Sequence, residues 1–239
     1  MKAGFALSSA FCLTTSFASA ASLQVAPVLL DIPAPGAATT ITLRNTDLQP
    51  ITAQIRVFRW TQSAGEDRLE PTSDVVASPP LIDLRSRQDY TVRVVRVSGG
   101  PVAKQEAYRL VIDELPRPQQ RSGTVALVLR HVVPVFFTGR EVLPPEIAWS
   151  VSRHGKGLLL GAANAGDARL RLASVSIRDA AGKAVSANAG LVGYSLGRSS
   201  MRWTLASPGG APAAGAKVTI TGATETGPFN ATAVVQPAP

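Results

Sequence analysis

The chain has 239 residues, with 24 Lys+Arg against 16 Asp+Glu and a single cysteine. That length is ample for two domains of about 100 residues each, and one cysteine excludes a disulfide framework. The arginines are scattered instead of clustering with aromatics, which argues against a nucleic-acid surface; the excess charge fits a solvated basic surface or complementarity to an acidic partner or a carboxylate.

Residues 1–20, MKAGFALSSAFCLTTSFASA, combine a basic start at Lys2, a modest apolar middle and a small-residue end at Ala18-Ser19-Ala20. This is the pattern of a secretory signal cleaved after Ala20. A membrane anchor is the alternative, but Ser and Thr interrupt the apolar run and it is too short to span. Phe11 before Cys12 is too bulky for a lipoprotein signal. Cleavage removes the only cysteine, so the exported chain is expected to be stable from its core alone. No later run approaches the ~18 apolar residues of a membrane span, so no membrane insertion is expected.

The mature chain reads as short strands and turns. "LQVAPVLLDI" (23–32), "TTITLRN" (39–45), "TAQIRVFRW" (52–60), "YTVRVVRV" (90–97) and "AYRLVIDEL" (107–115) are rich in Val, Ile and Thr, with Pro/Gly/Asp/Ser turns between them. In "TAQIRVFRW", Ala53, Ile55 and Val57 alternate with Gln54 and Arg56, which predicts a half-buried antiparallel strand. "EDRLE" (66–70) reads as a solvated loop. "TVALVLRHVVPVFF" (124–137) is apolar on both parities. Pro27 and Pro134 cannot donate to a ladder, so the strands that hold them are expected at sheet edges. An edge with an exposed apolar row is an invitation to pairing.

"VLPPE" (142–146) marks a joint. Beyond it "IAWSVSR", "GLLLGAANAG", "RLRLASVSIRD", "VGYSLGRSSMRWTL" and "KVTITGAT" are again short strands, and "DAAGK" (179–183) is a hairpin turn. The expected architecture is all-β: two tandem immunoglobulin-like β-sandwich domains. The boundaries are 1–20 for the signal, 21–141 for the first domain and 142–239 for the second.

Five segments in order carry a resemblance. "ASPPLIDLRSRQDYTVRVVR" (77–96), "EAYRLVIDELP" (106–116), "VALVLRHVVPVFF", "GAANAGDARLRLASVSI" (161–177) and "GYSLGRSSMRWTL" (193–205) resemble the periplasmic chaperones of chaperone–usher pilus assembly. The resemblance implies a boomerang of two immunoglobulin-like domains located in the periplasm. It also implies that the strand at 124–137 is lent to an incomplete pilin subunit, with delivery to an outer-membrane usher. The inserted side chains would be Val125, Leu127 and Leu129, with the opposite parity, Ala126, Val128 and Val132, supplying the core. The plainer alternative for the three is core packing.

The family's best-studied branch holds the subunit's terminal carboxylate with an Arg of the first strand and a Lys late in the donor strand. Those places fall near Leu30 and at Pro134, where neither side chain can do so. The R-x-x-x-P-V-F form resembles the archaic branch, whose clients include spore-coat-U-like pilins. Arg109 and Arg130 are the candidate anchors, since a guanidinium fork holds a carboxylate with two parallel bonds. Pairing with a neighbouring acid such as Glu114 is the alternative for each.

Nothing points to catalysis. His131 and His154 are too few and too separate for a metal site, and neither a G-x-S-x-G elbow nor a phosphate-cradling Gly pattern occurs. No cofactor is expected. The runner-up function is a pilus or adhesin subunit, which should carry a donor extension ahead of a truncated sandwich; here strand-like sequence begins close to the cleavage site. A periplasmic hydrolase is a lower alternative. Self-association through the apolar edge is a further expectation.

Overall fold

The computed structural model describes residues 23–116 and 128–238, and its regular elements are all β-strands. The signal read over 1–20, and Val125 and Leu127, lie outside the described residues. In chain order the first ten strands are β1 (Leu23–Ala26), β2 (Leu30–Pro33), β3 (Ala38–Asn45), β4 (Ile51–Ser63), β5 (Glu66–Pro71), β6 (Val75–Ser78), β7 (Leu81–Leu84), β8 (Asp89–Arg96), β9 (Gln105–Leu115) and β10 (Arg130–Thr138). The remaining seven are β11 (Ile147–His154), β12 (Gly157–Asn164), β13 (Leu170–Arg178), β14 (Ala184–Ser195), β15 (Ser199–Leu205), β16 (Lys217–Thr224) and β17 (Gly227–Gln236).

The first ten strands make two facing sheets. One runs β1-β3-β8-β6; the other runs β2-β10-β9-β4-β5, with β7 also on β4. The single run predicted over 23–32 is divided between them. β1 ends at Ala26 because Pro27 has no N–H for the ladder, and the chain crosses to place β2 in the second sheet. Both pieces are terminal in their sheets, as the prolines require. The alternation in β4 lies as expected: Ala53 and Ile55 are buried and Val57 packs against them. Ile41, Leu43, Val92 and Val94 of the first sheet meet Leu110, Ile112, Val133, Val135 and Phe137 of the second in one core. "EDRLE" is a strand, β5, not a loop; it extends the β4 hairpin with every residue exposed.

The last seven strands form one sheet, β14-β13-β16-β17-β11-β12-β15. Its two wings enclose a second core: Val175, Ile177 and Ile220 from one side and Leu158, Leu160 and Trp203 from the other. "DAAGK" makes the expected turn, with the Asp179 carboxylate accepting the amides of Ala181 and Lys183.

Each sandwich is pinned by a buried asparagine at a strand end. Asn45, closing β3, reaches the carbonyls of Gln49, Leu84 and Arg85 at 2.8–3.1 Å and accepts the Asp47 amide. Asn164, closing β12, reaches those of Ala168, Ser195 and Leu196 and accepts the amides of Glu146 and Gly166. The side-chain amide stands in for ladder partners that loop backbone cannot otherwise find.

An ionic network ties the two sheets of the first sandwich together. Arg96 of β8 grips Glu106 of β9 with two bonds of 2.8 Å, and the Tyr108 hydroxyl donates to the same carboxylate at 3.0 Å. Arg59 bonds both Tyr108 and Asp74. The Arg96 hydrogen bonds hold the Glu106 carboxyl below its ordinary 4.5; burial works the other way, and Tyr108 helps the arginine. Burial, then Glu106, pushes the Tyr108 phenol up. A carboxyl with a depressed folded-state pKa contributes stability that is complete above its unfolded value and is lost as pH falls through the folded one. Thermal stability is therefore expected to hold from neutral pH down to about 4.5 and then fall. Glu106→Gln should flatten that acid limb in a melting series across pH; an unchanged limb would remove the network from the account.

Candidate functional site

The free edge of β10 is set by unequal strand lengths. Along its full length β10 pairs with β9, from Arg130 opposite Asp113 to Thr138 opposite Gln105. On its other side β2 covers only Val135–Thr138. Among the described residues Arg130 to Pro134 therefore have no partner on that side, and the β9 pairing continues back to Leu129, whose carbonyl accepts the Glu114 amide at 2.9 Å. Pro134 stands at the last residue before β2 takes over. The edge expectation holds for this half of the strand and not for the half that β2 covers.

The register overturns one part of the sequence reading. Val133, Val135 and Phe137 are buried in the first core, and Leu129 packs against it. The odd-numbered row is therefore the sandwich-facing row. Val128 and Val132, expected in the core, are exposed at 43% and 45%. His131 lies between the rows of the first sheet and its own, with Nε2 2.9 Å from the Leu23 carbonyl.

The outward face of this sheet carries three arginines, Arg130 from β10, Arg109 from β9 and Arg56 from β4. Arg130 and Arg56 both bond the Asp113 carboxylate. Burial opposes ionisation of Asp113, but these two arginines hold its carboxyl below its ordinary 3.8. Arg130 is thus engaged by Asp113. Arg109, opposite Pro134 in the ladder, lies flat over the Trp60 ring at 3.5 Å and within 5.8 Å of the Tyr194 ring. It has no ion pair among the described residues, and burial pushes its pKa down. Leu30, the other place where the best-studied branch has a cation, is a core residue.

Next to this row the two sandwiches meet. Trp60, Phe136 and Tyr194 form an aromatic triangle with centroids 5.6–5.8 Å apart, closed by Ala107 and Leu196. Arg169, just before β13, was not singled out in the sequence. Its buried guanidinium stacks 3.9 Å from the Phe136 ring and pairs with Asp31 of β2 and Glu225. The β4–β5 hairpin straps the second sandwich. Gln62 bonds the Tyr194 carbonyl and the Leu196 amide, both at 2.8 Å, and Gly65 bridges to Met201 of β15. Gly65 has φ +83°, the left-handed region that favours glycine, and a Cβ there would displace the Arg202 side chain. Apolar packing and hydrogen bonds therefore join β10 and the β4–β5 hairpin to the second domain.

A search of the curated proteins gave no match. Among solved structures, the chain is similar to one in the CsuC–CsuE chaperone–tip adhesion subunit pre-assembly complex from archaic chaperone–usher Csu pili of Acinetobacter baumannii. That likeness has a TM-score of 0.67 at 23% identity, over 92% of this chain and 100% of the other. It is similar also to the E. coli chaperone DraB, with a TM-score of 0.60 at 21% identity over 88% and 95%. A third likeness is to the Salmonella enterica complex of SafA pilin with the SafB chaperone, 0.61 at 19% over 90% and 97%. At these identities the likeness is one of fold: two immunoglobulin-like domains. The model of the pili and flagellar-assembly chaperones, PapD N-terminal domain, matches residues 22–142, half of the chain. By that match, the chain belongs to the pilus-assembly chaperone family.

Proposed function

We propose that this chaperone captures incomplete pilin subunits in the periplasm, lends them the strand 124–134 along the free edge of β10, and delivers them to an outer-membrane usher. Residues 21–141 form the strand-lending domain and 142–239 the second domain. The observation that carries the reading is the edge itself: Arg130–Pro134 have no partner opposite β9 among the described residues. Strand addition uses such an edge, with main-chain bonds for affinity and alternate side chains for fit. Val125, Leu127 and Leu129 fill the subunit's groove. Leu129 lies on the sandwich-facing row, against the edge of the first core; Val125 and Leu127 share its parity in the sequence, so in this reading a client strand added at this edge brings its own interior under the three. The clients are spore-coat-U-like pilins, as in the archaic branch. A chaperone match over the whole first domain disfavours the pilus-subunit alternative. No catalytic step, metal or cofactor is part of the proposal.

Arg109 is the anchor for the subunit's terminal carboxylate. Its guanidinium lies on Trp60 beside the donor strand and lacks an ion pair among the described residues. Arg130 is the weaker candidate, because Asp113 already holds it. The test is co-expression with a spore-coat-U-like pilin and recovery of the complex. Leu127→Asp should abolish recovery while the chaperone stays folded, and Arg109→Ala should lower it about tenfold, in line with the loss of a charge-assisted bidentate contact. Full recovery with Leu127→Asp would refute strand donation; full recovery with Arg109→Ala would refute the anchor alone.

A further inference from the structure

We infer that the outward face of β4, β9 and β10 docks acidic side chains of the client subunit, beside the strand that the client borrows. The inference rests on the strand-donation reading and concerns a different surface from the edge itself. Strand alternation places Arg56, Arg109, Asp113, Arg130 and Val132 on this face. It carries three guanidinium groups and one carboxylate; Glu114, next along β9, belongs to the opposite parity.

Asp113 does not use up its two partners. It takes one hydrogen bond from each of Arg56 and Arg130, whereas a guanidinium has five N–H donors. The arginine side chains remain 42% and 63% exposed, and Asp113 only 12%. Asp113 is thus a positioning residue: it fixes two guanidinium groups at the surface with donors to spare. Val128 and Val132 lie exposed along the same row, so a covering surface needs apolar groups as well as carboxylates.

The occupant follows from position and charge. A strand paired to the β10 edge lies about 4.8 Å from it, so its own outward side chains come beside Arg130. A second copy of this chain is a poor occupant, because its formal net charge is +8 and it would set basic surface against basic surface. A client with acids there is favoured and one with lysines is rejected, which is how charge sorts partners.

The test uses the mature chain and three synthetic twelve-residue probes alternating valine with aspartate, asparagine or lysine, with affinity read by fluorescence anisotropy. At low salt the aspartate probe should bind about tenfold tighter than the asparagine probe, and the gap should shrink as salt is raised. The triple variant Arg56→Gln/Asp113→Asn/Arg130→Gln, which leaves no carboxylate unpaired, should bind the aspartate and asparagine probes equally. Should the triple variant not fold, Arg130→Gln alone should cut the preference severalfold. Equal binding of the aspartate and asparagine probes would overturn this inference and leave strand donation standing. Binding of neither would overturn both, and a preference that survives the substitutions would overturn the assignment to these arginines.

Discussion

Phe136→Ala is expected to destabilise the protein by about 3–5 kcal/mol, the range for truncating a buried phenylalanine. Phe136 is fully buried, yet it lies outside both sandwich cores. It fills the joint between Trp60 and Tyr194, and Arg169 stacks on its ring. Its loss removes an apolar hub and leaves the buried Arg169 guanidinium, whose Nε is paired with Glu225 at 3.2 Å, without its aromatic support. Urea unfolding of the full chain should show the loss of stability, and the second domain's transition should separate from the first. A single transition at the wild-type midpoint would mean that the joint contributes little.

Asn164→Ala is expected to cost about 3 kcal/mol, because leaving several buried polar groups unsatisfied outweighs the loss of one average hydrogen bond. The asparagine satisfies three carbonyls and two amides where the end of β12, the residue before β11 and the end of β14 converge. Asn164→Asp is the informative control: it keeps the acceptor and removes the donors, so it should lose most of the same stability. Thermal unfolding of the two variants compares them. An alanine variant as stable as wild type would show that water replaces the side chain.

Much of this was legible in the sequence because β-alternation is local. Ala53, Ile55 and Val57 announced the inner face of β4, and Pro27 announced the sheet edges on either side of it, whereas Pro134 marked only the half of β10 that β2 leaves uncovered. The run 124–137 was misread in one respect for a tertiary reason. Its even row ends in Phe136, which is apolar because it packs against Tyr194 and Leu196 some sixty residues away, so the run looked equally greasy on both faces. Val133, Val135 and Phe137, taken together, were the signal that the odd row faces the sandwich. β5 was missed because a fully exposed strand has no apolar period to show; it exists because β4 is long enough to fold back on. Arg169 and Gln62 had no motif at all. Their roles come from the meeting of two domains, which no local spacing records. Arg109 was singled out by the resemblance, but its place on Trp60 required the fold.

The central claim is that a client strand adds to the exposed half of β10. Residue-resolved amide hydrogen exchange, with and without a spore-coat-U-like pilin subunit, tests it most directly. Amides between Val128 and Val133 that point away from β9 should exchange freely in the chaperone alone and become strongly protected in the complex, while those of Val135–Thr138, already covered by β2, change little. Protection that appears elsewhere in a stable complex, with none along Val128–Val133, would contradict the account.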